Sequence, residues 1–254
     1  MPLLEIKGLT KAFGGLMAVK DLTLEIQKGE IFGLIGPNGA GKTTVFNLVS
    51  GMLPCTRGKI FYDGTLITGL SMHQIARKGL VRTFQLPTLF NNFTVLKNVL
   101  MGMHLQAEVN LWNSFFDTVH GKTRENGVLD RALGILQEVG LADRKDELAS
   151  NLPHGHRRIL QVAIGLGCEP GLLLLDEPMT GMNVQEVGEM MGLIKKLRER
   201  RGITIVIVEH NIRAVMGLCS RIAVLNFGQK IAEGTPGEIS QNEAVVRAYL
   251  GGSL

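Results

Sequence analysis

The sequence predicts an α/β fold with a mainly parallel sheet, an antiparallel β sub-domain at its N-terminal end and an inserted helical sub-domain. Three observations carry this. Residues 31–44, IFGLIGPNGAGKTT, pass from a short apolar run through a Gly- and Pro-containing turn into the opening of a helix. Residues 172–175 and 203–208 are apolar runs without polar alternation, closed by Asp176-Glu177-Pro178 and by Glu209-His210-Asn211. Such runs are buried on both faces, as in parallel sheets, and polar clusters beyond their carboxyl ends are where open α/β sheets bind ligands. From about 87 to 165 the pattern is mostly helical, which divides the chain into a core (1–86 and 166–254) and the inserted sub-domain (87–165).

Composition fits this class. A chain of 254 residues that is 45% hydrophobic can bury one large core with a sub-domain. The net charge of +4 is dispersed, which admits an anionic ligand or a membrane surface and gives no basic cluster pointing to nucleic acid. Cys55, Cys168 and Cys219 have no metal-binding spacing and read as reduced thiols in a cytosolic setting. No signal peptide opens the sequence, and no apolar run approaches the length of a membrane span.

Taken in order, residues 3–8 and 21–27 read as strands, the second from the alternation of Leu22, Leu24 and Ile26 with Thr23, Glu25 and Gln27. Gly14-Gly15 and Lys28-Gly29 mark turns, and Phe13, just before the first, reads by itself as a core or edge aromatic. A helix is expected from about 42 to 51, a strand over 59–62 ended by the hairpin signal Asp63-Gly64, a short helix over 73–78 and a strand over 81–85 broken by Pro87. Thr94 is a suitable N-cap for a helix over 95–105, a second helix is expected over 128–139, and a third after Gly155. Residues 106–126, with Trp112, Phe115 and Phe116, fit no pattern. Later come helices over 184–200, 212–218 and 243–250 and strands over 222–227 and 230–232.

The chemistry concentrates at strand ends. Gly36, Pro37, Asn38, Gly39, Ala40, Gly41, Lys42, Thr43 and Thr44 fit the phosphate-loop spacing G-x-x-x-x-G-K-[ST]. Glycines there let the backbone approach phosphate oxygens, successive N–H groups form an anion nest, and the following helix start adds partial positive charge. Lys42 supplies a full charge for β- and γ-phosphates and Thr43 a hydroxyl for Mg²⁺. An apolar strand ending in Asp176 completes a pair found together in P-loop NTPases, in which Asp176 holds Mg²⁺ through water. Glu177 is placed to orient or deprotonate an attacking water; its other readings are a helix cap or a surface ion pair. His210 reads equally as a structural residue or as a neutral imidazole reaching a γ-phosphate.

With Gln85 and a Gly155-centred segment added, these motifs follow one another over nearly the whole chain, which resembles the ATPase subunits of ABC transporters. More narrowly it is similar to the ATP-binding proteins of branched-chain amino acid importers. The matching pieces are Arg82-Thr83-Phe84-Gln85, Leu152-Pro153, Asp176-Glu177-Pro178, Thr180-Gly181-Met182-Asn183, Val208-Glu209-His210, Glu233-Gly234-Thr235-Pro236 and Ala248-Tyr249-Leu250-Gly251. The resemblance implies a P-loop NTPase fold, ATP and Mg²⁺ as ligands, and roles by position. Phe13 falls where the family stacks an aromatic on adenine. Gln85 falls on the glutamine that touches Mg²⁺ and the water and senses the membrane subunit. Glu177 falls on the catalytic carboxylate and His210 on the switch histidine. It also implies permease subunits docked on the helical region, a head-to-tail pair of ATPase subunits, an indirect link to a solute-binding protein, and a place on the cytoplasmic face of the inner membrane.

One motif departs from the family. Where the signature reads Leu-Ser-Gly-Gly-Gln, this chain has Leu152, Pro153, His154, Gly155 and His156, without the serine hydroxyl or the first glycine. Pro153 also lacks an N–H. The expectation is an asymmetric pair, with this phosphate loop facing the signature of a different ATPase subunit, a homodimer being the alternative. Asn183 stands where the wider family has aspartate. Leucine, isoleucine and valine follow from the resemblance alone. An importer of urea or short amides, a soluble ABC-type ATPase or a regulatory nucleotide-binding subunit are the other readings.

Overall fold

The computed structural model describes residues 1–83, 89–104 and 120–250, the side chains of 104, 120–126 and 250 aside. Gln85, Trp112, Phe115 and Phe116 lie outside these residues, as does most of the unplaced 106–126 segment. The chain forms two compact units, Met1–Leu80 with Gly171–Leu254, and Val81–Pro170.

The first unit holds an antiparallel sheet in the order β2-β1-β4-β5, made of β1 (Leu4–Phe13), β2 (Leu16–Ile26), β4 (Arg57–Tyr62) and β5 (Thr65–Leu66). β1 and β2 run longer than their sequence patterns suggest. Gly8 reads as a strand end, yet it sits at φ 58 where the register shifts between Ile6 and Leu9, so the strand passes through a bulge and continues to Phe13.

The second sheet has the order β10-β9-β3-β8-β7-β6. β3 (Ile31–Ile35) is parallel both to β8 (Thr204–Val208) and to β9 (Arg221–Asn226), and β7 (Leu172–Asp176) is parallel to β8. β10 (Gln229–Gly234) returns antiparallel to β9. The edge strand β6 (Leu80–Arg82) is where the chain passes from the first unit into the second. All five residues of β3 and of β8 are buried, as their largely apolar character requires, and the one polar side chain, Thr204, accepts the Gly29 N–H on its hydroxyl at 2.8 Å. A core of Phe32, Leu34, Phe46, Ile60, Leu174 and Val206 joins both sheets to α1 (Lys42–Val49). Because β3 is central, the loop leaving its carboxyl end lies beside the ends of β8 and, one strand further, β7. α2 (Met72–Arg77) also belongs to this unit.

In the second unit, α3 (Val95–His104), α4 (His120–Glu138) and α5 (His154–Gly167) pack on one another. Thr94 caps α3, its hydroxyl accepting the Lys97 N–H at 3.2 Å. A Cβ on Gly102 would stand 2.3 Å from the Ile164 carbonyl, so only glycine allows α3 and α5 to approach this closely. Buried Asn98 bonds the main chain of Phe90, Phe93 and Thr94 and fixes the turn before α3.

The chain ends in α6 (Val184–Arg201), α7 (Ile212–Leu218), α8 (Pro236–Gln241) and α9 (Glu243–Leu250). α8 is absent from the sequence expectation. Its signal is local: Thr235 and Glu238 form a capping box with Pro236 in the first turn. α4 begins eight residues before the expected Val128, because its first turns carry no apolar period. Cys168 and Cys219 are buried as free thiols, and burial pushes them up to about 11 and about 12, which keeps them protonated.

Candidate functional site

The loop between β3 and α1 is shaped by two glycines. A Cβ on Gly36 (φ 152) would meet the Leu225 carbonyl at 2.1 Å, and one on Gly41 (φ 102) the Ala18 carbonyl at 2.5 Å. The loop is thus pressed against β2 and β9, and the Gly228 N–H, in the turn after β9, donates to the Ala40 carbonyl at 3.0 Å. Gly41 is the N-cap of α1 and no side chain caps that helix. The first-turn N–H groups have no intrahelical acceptor, so a partial positive charge opens onto the loop.

Lys42 lies inside this curl, 5% exposed, with Nζ donating to the carbonyls of Gly36 at 2.7 Å and Pro37 at 3.0 Å. Burial lowers its pKa, while the carboxylates of Glu177 and Asp176 pull it back up. Two of its protons brace the loop and the third can meet an anion. A cavity of about 440 Å³ opens beside it, lined by Phe13, Met17, Gly41, Lys42, Thr43 and Phe227. Phe13 is 47% exposed, and the Lys11 ammonium stands 4.9 Å from its ring centroid while also bonding the Pro54 carbonyl. Phe227 is 84% exposed at a φ of 45 in the β9–β10 turn. From sequence, Asn226-Phe227-Gly228 reads as a plain hairpin turn, so only the fold reveals that Phe227 faces this cavity.

The carboxylates follow from β7. Asp176 ends the ladder opposite Val208. Glu177 sits at φ 50, unusual for a residue with a Cβ, and its N–H donates to the Val208 carbonyl at 2.8 Å. A left-handed non-glycine residue costs about 1–3 kcal/mol and persists where its surroundings fix it. Here the turn does so: the Thr180 N–H donates to the Glu177 carbonyl at 3.2 Å and the Thr180 hydroxyl to its carboxylate at 3.2 Å. The conformation turns the Glu177 side chain towards His210, whose Nε2 lies 2.6 Å from Oε1. The structure therefore brings Lys42, Thr43, Asp176, Glu177 and His210 to one end of one sheet. A cage of N–H donors, an ammonium, a hydroxyl and two carboxylates suits a polyphosphate with a hydrated divalent cation.

Gly155, in the second unit, is buried in the first turn of α5 rather than in a loop. Pro153 is the N-cap and, lacking a donor or acceptor side chain, caps nothing. His154 is exposed, while the Nδ1 of His156 is buried without a hydrogen-bond partner. The Arg157 guanidinium bonds the Asn91 amide oxygen at 3.1 Å and so anchors this turn.

Comparison with known proteins gives a family and near relatives. Residues 19–180 match the ABC transporter family model, and residues 229–253 match that of the branched-chain amino acid ATP-binding cassette transporter. Over 250 residues, 98% of each chain, the sequence is 44% identical to the high-affinity branched-chain amino acid transport ATP-binding protein LivG of Salmonella typhimurium. It is 40% identical over the same share to BraF of Pseudomonas aeruginosa, which bears the same description. Among solved structures, the ADP conformation of MJ1267, an ATP-binding cassette of an ABC transporter, superposes with a TM-score of 0.87 at 29% identity, covering 99% of both chains.

Proposed function

The chain belongs to the ABC transporter family, and from that premise we propose that it powers the import of branched-chain amino acids by binding and hydrolysing ATP. The observation that carries the chemistry is the convergence of Lys42, Glu177 and His210 at one sheet end, with Glu177 2.6 Å from His210. The solute is taken from LivG and BraF, which are high-affinity branched-chain amino acid transport ATP-binding proteins.

The residues divide the work. Phe13, whose ring centroid lies 4.9 Å from the Lys11 ammonium, stacks the adenine. The N–H groups of Gly39, Gly41, Lys42, Thr43 and Thr44 cradle the phosphates, and the Lys42 ammonium neutralises the β- and γ-oxygens. The Thr43 hydroxyl, Asp176 through water and Gln85 would hold Mg²⁺, which would offset charge on the transferring phosphoryl group. Glu177 orients the attacking water and takes its proton. His210 holds the Glu177 carboxylate at its carboxyl oxygen and contacts the γ-phosphate when the site is occupied.

The second unit serves coupling. Its helices dock on a cytoplasmic loop of the permease subunits, which places the chain at the inner face of the membrane, and the solute-binding protein acts on it only through them. The first turn of α5, with Gly155, faces the γ-phosphate of a partner ATPase subunit. Because Pro153 stands where a serine hydroxyl would donate, a heterodimer with a second ATPase subunit is favoured over a homodimer.

The test is ATP turnover by the assembled importer. With Glu177→Gln, turnover falls about 100-fold or more while ATP binding persists. Near-normal turnover in that variant would remove Glu177 from its role.

A further inference from the structure

We propose that Glu209 is a positioning residue that clamps the turn carrying Glu177 to the turn carrying His210. This rests on the reading of Glu177 and His210 given above and adds a residue to it. Glu209 is 3% exposed and precedes His210 in the chain. Its Oε1 accepts the Met179 N–H at 2.6 Å, and its Oε2 accepts the His210 N–H at 3.0 Å and, more weakly, the Asn211 N–H at 3.4 Å.

The position explains the need. The β7–β8 ladder ends at Asp176 and Val208, and one further main-chain bond, from the Glu177 N–H to the Val208 carbonyl, extends it. Beyond that point the two strands diverge into separate helices, α6 and α7. Glu177 and His210 are the residues at that divergence, and no main-chain bond spans it further among the described residues. The Glu209 carboxylate replaces the missing rung, with one oxygen on each side.

The chemistry also suits a clamp rather than an ion pair. Among the described residues no Lys or Arg side chain is paired with Glu209, so N–H donors alone compensate its burial. Bonds from N–H groups to an ionised carboxylate are roughly twice as strong as neutral ones. Burial raises the pKa of Glu209, the three N–H donors lower it, and the nearby Glu177 charge raises it. A carboxylate here accepts on both oxygens at once, which the isosteric amide cannot do: one of its two terminal atoms would present N–H to N–H.

Glu209→Gln therefore keeps size and loses one side of the clamp. In the full chain, deuterium exchange at the Met179 or His210 amide rises about tenfold or more. In the assembled importer, kcat falls about tenfold or more with KM for MgATP within about twofold. In a His210→Ala background the same substitution lowers kcat by no more than about twofold, because its effect passes through that residue. Unchanged exchange at both amides overturns the clamp, whatever the turnover. Raised exchange with kcat within twofold of wild type overturns the positioning role. An equal loss of kcat with and without His210 also overturns it. If Glu209→Gln does not fold, Glu209→Asp, which keeps both acceptors but withdraws them by one methylene, gives the same readings at smaller size. Failure of the wild-type importer to hydrolyse ATP would instead sink the functional reading, and the exchange measurement still decides the clamp.

Discussion

Among the described residues, the starts of α1 and α5 both lack a side-chain cap, and they are built differently. α1 begins at Gly41 and α5 at Pro153, neither with a capping side chain. By contrast Ser71, Asn183, Asn211 and Thr235 each accept a first-turn N–H in α2, α6, α7 and α8. At α1 the free donors are matched by a buried ammonium, two shaping glycines, a hydroxyl and an aromatic-lined cavity. At α5 the free donors stand with Gly155 and two imidazoles, next to a proline that removes both a hydroxyl and an N–H. The first start is equipped to hold a polyphosphate by itself. The second has no such ammonium or hydroxyl and offers only the main chain around Gly155. The difference is the ground for the asymmetric pair proposed above, in which this phosphate loop faces the signature of another subunit.

The largest effect should come from the better-equipped start. Lys42→Ala removes the buried charge and the two bonds that brace the loop, and nucleotide affinity, read by equilibrium binding, falls about 100-fold or more. A binding constant that moves less than threefold would break the comparison at its strong end. At the weak end, Pro153→Ser restores one hydroxyl donor. One added hydrogen bond is worth about 0.5–1.5 kcal/mol, so ATP-dependent pairing of two copies of this chain tightens about two- to tenfold by sedimentation. No change would mean that His154 and His156, rather than Pro153, limit the segment.

Much of this was legible in sequence because it is local. The phosphate loop is a contiguous pattern, and its glycines, lysine and threonine need no distant partner to be read. Leu172–Leu175 and Ile203–Val208 announce buried strands by their lack of alternation, and the carboxylates and histidine at their ends follow from that. What sequence could not show depends on where the chain returns. Phe227 is an unremarkable turn residue until β9 is seen lying beside β3. Glu209 is one more carboxylate at a strand end until its oxygens are found on Met179 and His210. Gly8 reads as a stop because a bulge and a strand end use the same residue for the same freedom of φ. Asn183 is a different lesson. As the residue that replaces the family's aspartate it raises doubt, yet it caps α6 in a capping box with Glu186, and Asn and Asp cap equally well.

The central claim is that this chain carries one good nucleotide site and one weak signature. The direct measurement is the mass in solution of Glu177→Gln protein with and without MgATP, with hydrolysis blocked so that a closed pair accumulates if it can form. The account predicts a monomer that binds ATP and pairs only when a second ATPase subunit is added. An ATP-dependent homodimer of the single chain would contradict it.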